Sequence, residues 1–406
     1  MKKQMILPFI VLSTVPFIMV LGNSMLIPLL PTMKAKMNIT LFQVGLIITA
    51  FSIPAGLVIP IAGYLSDRFS RKAIMAPALI IYGLGGLIAG FASLLLAKPY
   101  NVLLIGRIIQ GIGAGGTYQL AMALIGDIFQ SKERTKALGL LEAANGLGKV
   151  VSPVSGAALG LIIWFAPFFV YGFLAIPVAF AVWLIVKEPQ ENKKRQNPGK
   201  YLTKLKEIFK EKGVSLISSF LAGGVVLFIL FGTLSYISDV LEQKYGIRGF
   251  STGLLIAIPV ASMALTSYLS GVYLSKQASH HLKIAIVLGL LGVTGAMAVI
   301  AFITNIYFLF IALIVMGIGT GIVLPAVNTL ITSAAATEER GIITCLYGST
   351  RFFGVAIGPP TFGLVTELGK TPLFLGAALL VIIITVIAFV FIKEKVLLPP
   401  GLLQGN

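Results

Sequence analysis

Twelve stretches of about 20 or more mostly apolar residues follow one another along this 406-residue chain, and no other feature constrains its fold as much. They fall near 5–30, 42–65, 73–96, 101–126, 137–163, 166–187, 214–237, 251–274, 284–304, 306–333, 341–366 and 371–393. A sequence that is 57% hydrophobic and 11% charged cannot hide its apolar surface in a water-soluble core, so lipid must be the solvent. In hydrocarbon only helices and closed barrels satisfy their backbone polar groups, and these runs are far longer than the ~10 alternating residues of a barrel strand. The expected fold class is an all-α membrane protein. The Met1-Lys2-Lys3 start could mimic a signal peptide, but the apolar run continues to Leu30 without a small-residue cleavage site and reads as the first membrane helix.

The net charge of +17 would suit a nucleic-acid partner, yet the basic residues sit mainly in short loops between apolar runs, where orientation signals lie. No nucleic-acid role is expected. Lys2, Lys3, Arg68, Arg71, Lys72, Lys132, Arg134, Lys136, the basic cluster in 187–212, Lys276, Lys283, Arg340, Lys393 and Lys395 fall on the side of the N-terminus. The opposite loops carry Lys34, Lys36, Lys98, Lys244, Arg248 and Lys370. This imbalance predicts a multi-pass protein of a bacterial-type inner membrane with both termini in the cytoplasm.

The single cysteine, Cys345, excludes an internal disulfide and a zinc cluster, and His280 and His281 read as adjacent, solvated loop residues. No metal or cofactor is expected. Gly369-Lys370-Thr371 ends like a phosphate loop, but Leu364 stands where the first glycine should be. Within the spans there is no paired set of acids and no nucleophile with a base, so no enzyme is expected.

Residues 187–213 form the only long polar connection and divide the chain into an N-terminal bundle, 1–186, and a C-terminal bundle, 214–406, of six helices each. Inside this connection Tyr201, Leu202, Leu205, Ile208 and Phe209 recur at helical spacing among Lys200, Lys204, Lys206, Lys210 and Lys212. That pattern predicts an amphipathic helix on the anionic cytoplasmic surface, with a solvated linker of helical bias as the plainer reading. A shift of 206 residues superposes Gly111 on Gly317, Gly113 on Gly319, Gly115 on Gly321, Arg134 on Arg340, Gly148 on Gly354 and Pro153 on Pro359. The halves are therefore copies, an arrangement that many transporters use to bind substrate between repeats near the membrane midplane.

The loop after the second span reads Gly63-Tyr64-Leu65-Ser66-Asp67-Arg68-Phe69-Ser70-Arg71-Lys72. It resembles the G-x-x-x-D-R-x-G-R-[KR] signature of the major facilitator superfamily, with Ser70 in place of a glycine. Arg107-Ile108-Ile109-Gln110-Gly111-Ile112-Gly113-Ala114 in the fourth span is similar to that family's R-x-x-Q-G-x-G-A element. Gly148 to Ala157 in the fifth is similar to the G-x-x-x-G-P-x-x-G-G element of its antiporters, with Ser152 and Ala157 replacing glycines. Leu21-Gly22, Pro28 and Pro31 resemble the first span of the twelve-helix drug:proton antiporters. The resemblance implies the major facilitator fold, twelve transmembrane helices in two pseudo-symmetric six-helix bundles, working by alternating access driven by protons.

By the same resemblance, Gly63, Asp67, Arg68, Arg71, Asp127 and Arg134 form the gating set, in which Asp127 pairs with the basic loop and locks one state. Arg107 takes part in proton relay, or else anchors structure. Small residues at Gly148, Pro153, Gly156, Gly354, Gly358 and Pro359 let helices approach and slide.

Once loops are assigned, Arg107, Lys149 and Arg351 remain as cations within the spans, with Glu142 as the clear acidic counterpart. A charge in hydrocarbon costs about 2.5–3.5 kcal/mol on insertion scales, so these groups are expected to face a wet cavity or one another. Glu142 and Lys149 lie two turns apart, ~10.5 Å along one face, with Asn145 nearby. Asn23, Glu142, Asn145, Lys149 and Arg351 are the expected substrate cavity, and a Glu142 or Asn145 contact with Arg351 would cross the repeat axis. Glu142 is the candidate proton carrier, because desolvation could lift its pKa toward neutral; a permanently ionised structural partner is the alternative.

The expected function is a proton-coupled exporter of amphipathic small molecules, monomeric in the bilayer. Its alternatives are a dedicated exporter or flippase of an anionic natural product such as a siderophore or glycolipid, and a membrane sensor that binds without transporting.

Overall fold

The structure is a computed structural model that describes residues 3–129, 131–188, 198–276, 281–334 and 340–398. Within these ranges the side chains of 3, 4, 67, 131, 132, 134–136, 142, 143, 198–202, 204, 275, 276 and 340 lie outside the description. The described chain is helical throughout, and it separates into two compact units, Met1–Gln196 with Ile237–Ala257, and Asn197–Tyr236 with Ile258–Asn406.

In the first unit α1 (Lys3–Ser24) gives way to a 3-10 turn at Ile27–Leu29 and then to α2 (Leu30–Met37). Pro28 and Pro31 sit in the first turn of their helices, where a missing N–H costs nothing, so they restart the span instead of ending it. The first span thus extends to Met37, and Lys34 and Lys36 belong to a helix, where sequence had placed them in a loop. Asn38, at φ 51°, ends α2 in the left-handed region. Thr40 and Gln43 close a capping box at the start of α3 (Leu41–Arg68). There follow α4 (Arg71–Leu95), α5 (Tyr100–Gly115), α6 (Tyr118–Ile128), α7 (Ser131–Ile162) and α8 (Ala166–Ile185), with α5 and α6 sharing the fourth span across Gly116-Thr117.

The rest of the described chain forms α9 (Pro198–Tyr245), α10 (Phe250–Lys276), α11 (Leu282–Ile300), α12 (Ile306–Ser333), α13 (Arg340–Val365), α14 (Lys370–Phe391) and the short α15 (Glu394–Leu397), the second unit taking α9 up to Tyr236 and the helices from Ile258 onward. Eleven described helices or helix pairs are long and apolar enough to cross a membrane; α7, with Glu142 and Lys149 in its sequence, is the twelfth long one. The amphipathic segment expected to lie apart on the membrane surface continues into the seventh span, since α9 runs unbroken from Pro198 to Tyr245. The physical reason is plain: Gly213 costs an interior helix only about 1 kcal/mol, and there is no proline between Pro198 and Tyr245 to break it.

The duplication read from sequence is repeated in the packing of each unit. A methyl added at Gly111 would strike the Phe51 carbonyl on α3, and one at Gly317 the Pro259 carbonyl on α10. Gly113 and Gly319 seat their helices against α4 and α11 in the same way. Gly148 and Gly156 bring α7 against α1, at Phe17 and at the Met25 carbonyl, whereas Gly354 and Gly358 bring α13 against α9, at the Gly224 and Phe228 carbonyls. Close backbone approach at small residues is how helices associate where water offers no hydrophobic drive.

Candidate functional site

Arg107 organises the interior of the first unit. α5 carries it into a position with no solvent exposure, where its guanidinium meets neutral acceptors only. Nε donates to the Ile47 carbonyl at 3.1 Å, and Nη1 to the Gly22 carbonyl at 2.8 Å and to Gln110 Oε1 at 2.6 Å. Nη2 donates to Asn23 Oδ1, and the guanidinium carbon lies 4.5 Å from the Phe51 ring centre. Asn23 passes the network on, donating to Ser52 Oγ at 2.8 Å.

Arg107 therefore does not face a wet cleft, as its charge had suggested. The fork of donors is satisfied by α1, α3 and its own helix, and Asn23, expected in the substrate cavity, is spent on holding it. The cage also pins α1 at Gly22, directly before the break at Ser24.

The other cavity candidates are more dispersed. Asn145 is buried and Lys149 half-buried on α7, whose backbone also carries Glu142; the Glu142 side chain lies outside the described residues. In the second unit Arg351 is half-buried near the middle of α13, its guanidinium carbon 5.7 Å from the centre of the Tyr347 ring. Tyr347 stacks on Phe220 of α9 with ring centres 5.9 Å apart.

The loop between α3 and α4 forms a second cluster. Arg71 Nη1 pairs with Asp127 Oδ2 at 2.5 Å, Gly63 lies in the last turns of α3, and exposed Arg68 lies over the Phe69 ring. The side chains of Asp67 and Arg134 lie outside the described residues. Ser70, which stands where the resembling signature has glycine, is the N-cap of α4: extended at φ −161°, it needs no glycine, and its Oγ accepts from Ala73 N at 3.2 Å.

Sequence reasoning missed Glu188. Its carboxylate accepts from Ser70 Oγ at 2.5 Å, Arg71 N at 3.0 Å and Lys72 N at 3.1 Å, closing the N-terminus of α4 with a negative charge where the helix dipole favours one. Lys72 Nζ donates to the Val186 carbonyl at 3.0 Å and lies over the Trp183 ring. The second unit repeats this: Glu394 Oε1 accepts from Lys283 N at 2.7 Å at the start of α11, and Lys283 Nζ lies over Phe389. Both Glu394 and Phe389 are 206 residues beyond their counterparts, the repeat already seen in the glycines, so the signal was present in the sequence.

A second missed pair joins Lys34 Nζ to Asp239 Oδ1 at 2.8 Å, both within the first unit. The sequence had put Lys34 in a loop and ended the seventh span at 237, two residues short of Asp239.

Two units that repeat one helix-packing scheme around glycine seams, each with a carboxylate-capped loop, define a multi-pass membrane transporter. The chain belongs to the Major Facilitator Superfamily, whose profile matches residues 12–359 and 284–403, and within it to the branch of the twelve-helix drug:proton antiporters. It is 43% identical over 355 residues to the bacillibactin exporter of Bacillus subtilis (strain 168), covering 87% of this chain and 88% of that protein. It is 27% identical over 377 residues to multidrug resistance protein 1 of the same organism, covering 89% and 91%. Among solved structures, a bacterial homologue of the human lysosomal transporter Spinster, captured inward-facing and unoccupied, matches with a TM-score of 0.77 at 18% identity, covering 98% of this chain and all of that one. That last likeness shows the fold.

Proposed function

We propose that this transporter is a proton-coupled exporter of small amphipathic molecules, set in an inner membrane with both termini cytoplasmic and working as a monomer. The observation that carries export is the 43% identity, along nearly nine-tenths of the chain, to a protein that exports bacillibactin. It also favours the narrower reading, in which one anionic natural product of the siderophore kind is the cargo, over a broad multidrug range. Multidrug resistance protein 1 supports the broad range at lower identity.

In this reading Glu142 carries the proton, with Lys149, Asn145 and Arg351 lining the path of the cargo. Arg107 acts as an anchor for the first span, because four of its five N–H donors are occupied by carbonyls and amides. The Arg71–Asp127 pair, with Asp67, Arg68 and Arg134, belongs to the gate, and the glycine seams at Gly148, Gly156, Gly354 and Gly358 are where helices slide. None of this requires enzymatic chemistry.

The test uses proteoliposomes of the full chain under an imposed pH gradient. Export of bacillibactin, but not of a panel of lipophilic dyes, would establish the narrow reading, and export of both the broad one. Counterflow absent for every compound would mean a sensor. Glu142→Gln should abolish gradient-driven transport while sparing counterflow; wild-type pH dependence in that variant would remove Glu142 from the proton path.

A further inference from the structure

We infer that Arg351 is the anion-reading group of the transport site, selecting cargo with a carboxylate or another group that offers two oxygens along one edge. This rests on the exporter reading above, and it follows from how the structure separates the three cations that sequence placed within the spans.

Arg107 is wholly buried, and each of its nitrogens donates to a protein oxygen. Four of its five N–H donors are spent on protein oxygens, and a group with no solvent exposure is closed to a ligand. Lys149 can offer only a point charge, which binds anions without reading their shape.

Arg351 differs from both. It is half-buried, and among the described residues its guanidinium has no hydrogen bond or ion pair. Its recorded contact is the face of the Tyr347 ring. A guanidinium 5.7 Å from a ring centre is attracted by the ring without spending an N–H on it, which leaves the donor fork that matches a carboxylate for an anion.

The surroundings hold that geometry in place. Tyr347, Arg351, Gly354 and Gly358 follow at spacings of four, three and four, which puts them on one face of α13. This face is fixed to α9 both above and below the arginine: Tyr347 stacks on Phe220, and Gly354 and Gly358 close on the backbone at Gly224 and Phe228. At these contacts α9 supplies two consecutive glycines, Gly223 against the Tyr347 ring and Gly224 against Gly354. The cation is thus mounted on a rigid seam, on a ring whose own hydroxyl has no hydrogen-bond partner among the described residues. A half-buried arginine whose donors are unspent among the described residues is costly in a membrane protein unless an anion visits it.

The experiment measures calorimetric binding of three matched probes, 2-naphthoate, the neutral 2-naphthamide and the cationic 2-naphthylmethylammonium, to the full chain in nanodiscs. Wild type should bind naphthoate more tightly than the amide and the cation. Arg351→Ala should erase that advantage, a loss of roughly 10- to 100-fold for a charge-assisted hydrogen-bonded contact. Arg351→Lys should keep only part of it, because a point charge cannot form the fork. Arg351→Gln, whose unfolding temperature checks that the seam is intact, should behave as Ala does for naphthoate and as wild type does for the amide.

The inference is overturned if wild type does not prefer naphthoate to the amide, or if Arg351→Ala keeps that preference. Counterflow of naphthamide, run alongside, separates the two readings. Transport without anion preference removes the role of Arg351 and leaves the exporter standing. Anion preference lost in Arg351→Ala without any transport keeps the role of Arg351 and removes the exporter.

Discussion

Lys34 Nζ stands 2.8 Å from Asp239 Oδ1, joining the far end of the first span to the last turns of α9. Neighbouring bonds hold both ends in place: Gln243 Nε2 donates to the other Asp239 oxygen at 2.8 Å, and Ser238 Oγ donates to the Ile27 carbonyl at 2.9 Å. With the side chains 26% and 13% exposed, the pair is less screened than a surface one. Lys34→Ala or Asp239→Asn alone should lower stability by about 1–2 kcal/mol, and the charge swap Lys34→Asp with Asp239→Lys should recover most of it. Thermal unfolding in detergent reads all three; a swap as unstable as the single variants would show that charge is not what holds these segments.

Arg107 makes a larger claim on stability. Arg107→Ala leaves the Gly22 and Ile47 carbonyls, Asn23 and Gln110 facing an apolar void, a loss of roughly 3–5 kcal/mol that should appear as poor expression and a lowered unfolding temperature. Arg107→Lys should rescue little, because one ammonium cannot reach acceptors on three helices. Wild-type stability in the lysine variant would mean that the charge alone matters.

The glycines of α7 supply an internal comparison. Gly156→Ala would drive a methyl into the Met25 carbonyl and should cost about 1–3 kcal/mol, with slowed transport if this seam slides. Gly139→Ala, on the same helix with nothing within 4 Å of the added methyl, should be neutral or stabilising by up to about 1 kcal/mol. Equal effects of the two would show that the α1–α7 contact is looser than its geometry.

Glu188→Ala removes an acceptor shared by one hydroxyl and two backbone amides and should cost about 1–2 kcal/mol, with faster hydrogen exchange at Arg71 and Lys72. Glu188→Gln keeps an acceptor oxygen without the charge and should recover about half. Exchange rates unchanged in Glu188→Ala would show that Ser70 caps α4 unaided.

The fold was legible because lipid leaves a chain few choices: long apolar runs must be helices, and the 206-residue repeat in Gly111, Gly148 and Pro153 fixed their grouping. Charges were harder to place. Arg107 read as a cavity residue because sequence reports the cost of burying a cation, whereas the backbone carbonyls that offset it belong to Gly22 and Ile47, whose side chains carry no polar signal. Lys34 was misread for a related reason: Pro28 and Pro31 look like the end of a helix and are the start of the next. Glu188 went unnoticed because one acid in a polar linker is ordinary until Glu394 is found at the repeat distance.

The matched caps at Glu188 and Glu394 also bear on ancestry. An ancestor half this long would already have sealed its third helix with an acid borrowed from just past its sixth, and fusing two such copies left one acid at the root of the joining segment and the other beside the chain's tail. Because the first lobe's seal needs only Glu188, the second residue of the connection, the rest of that connector was free to lengthen and change composition without unpicking either lobe.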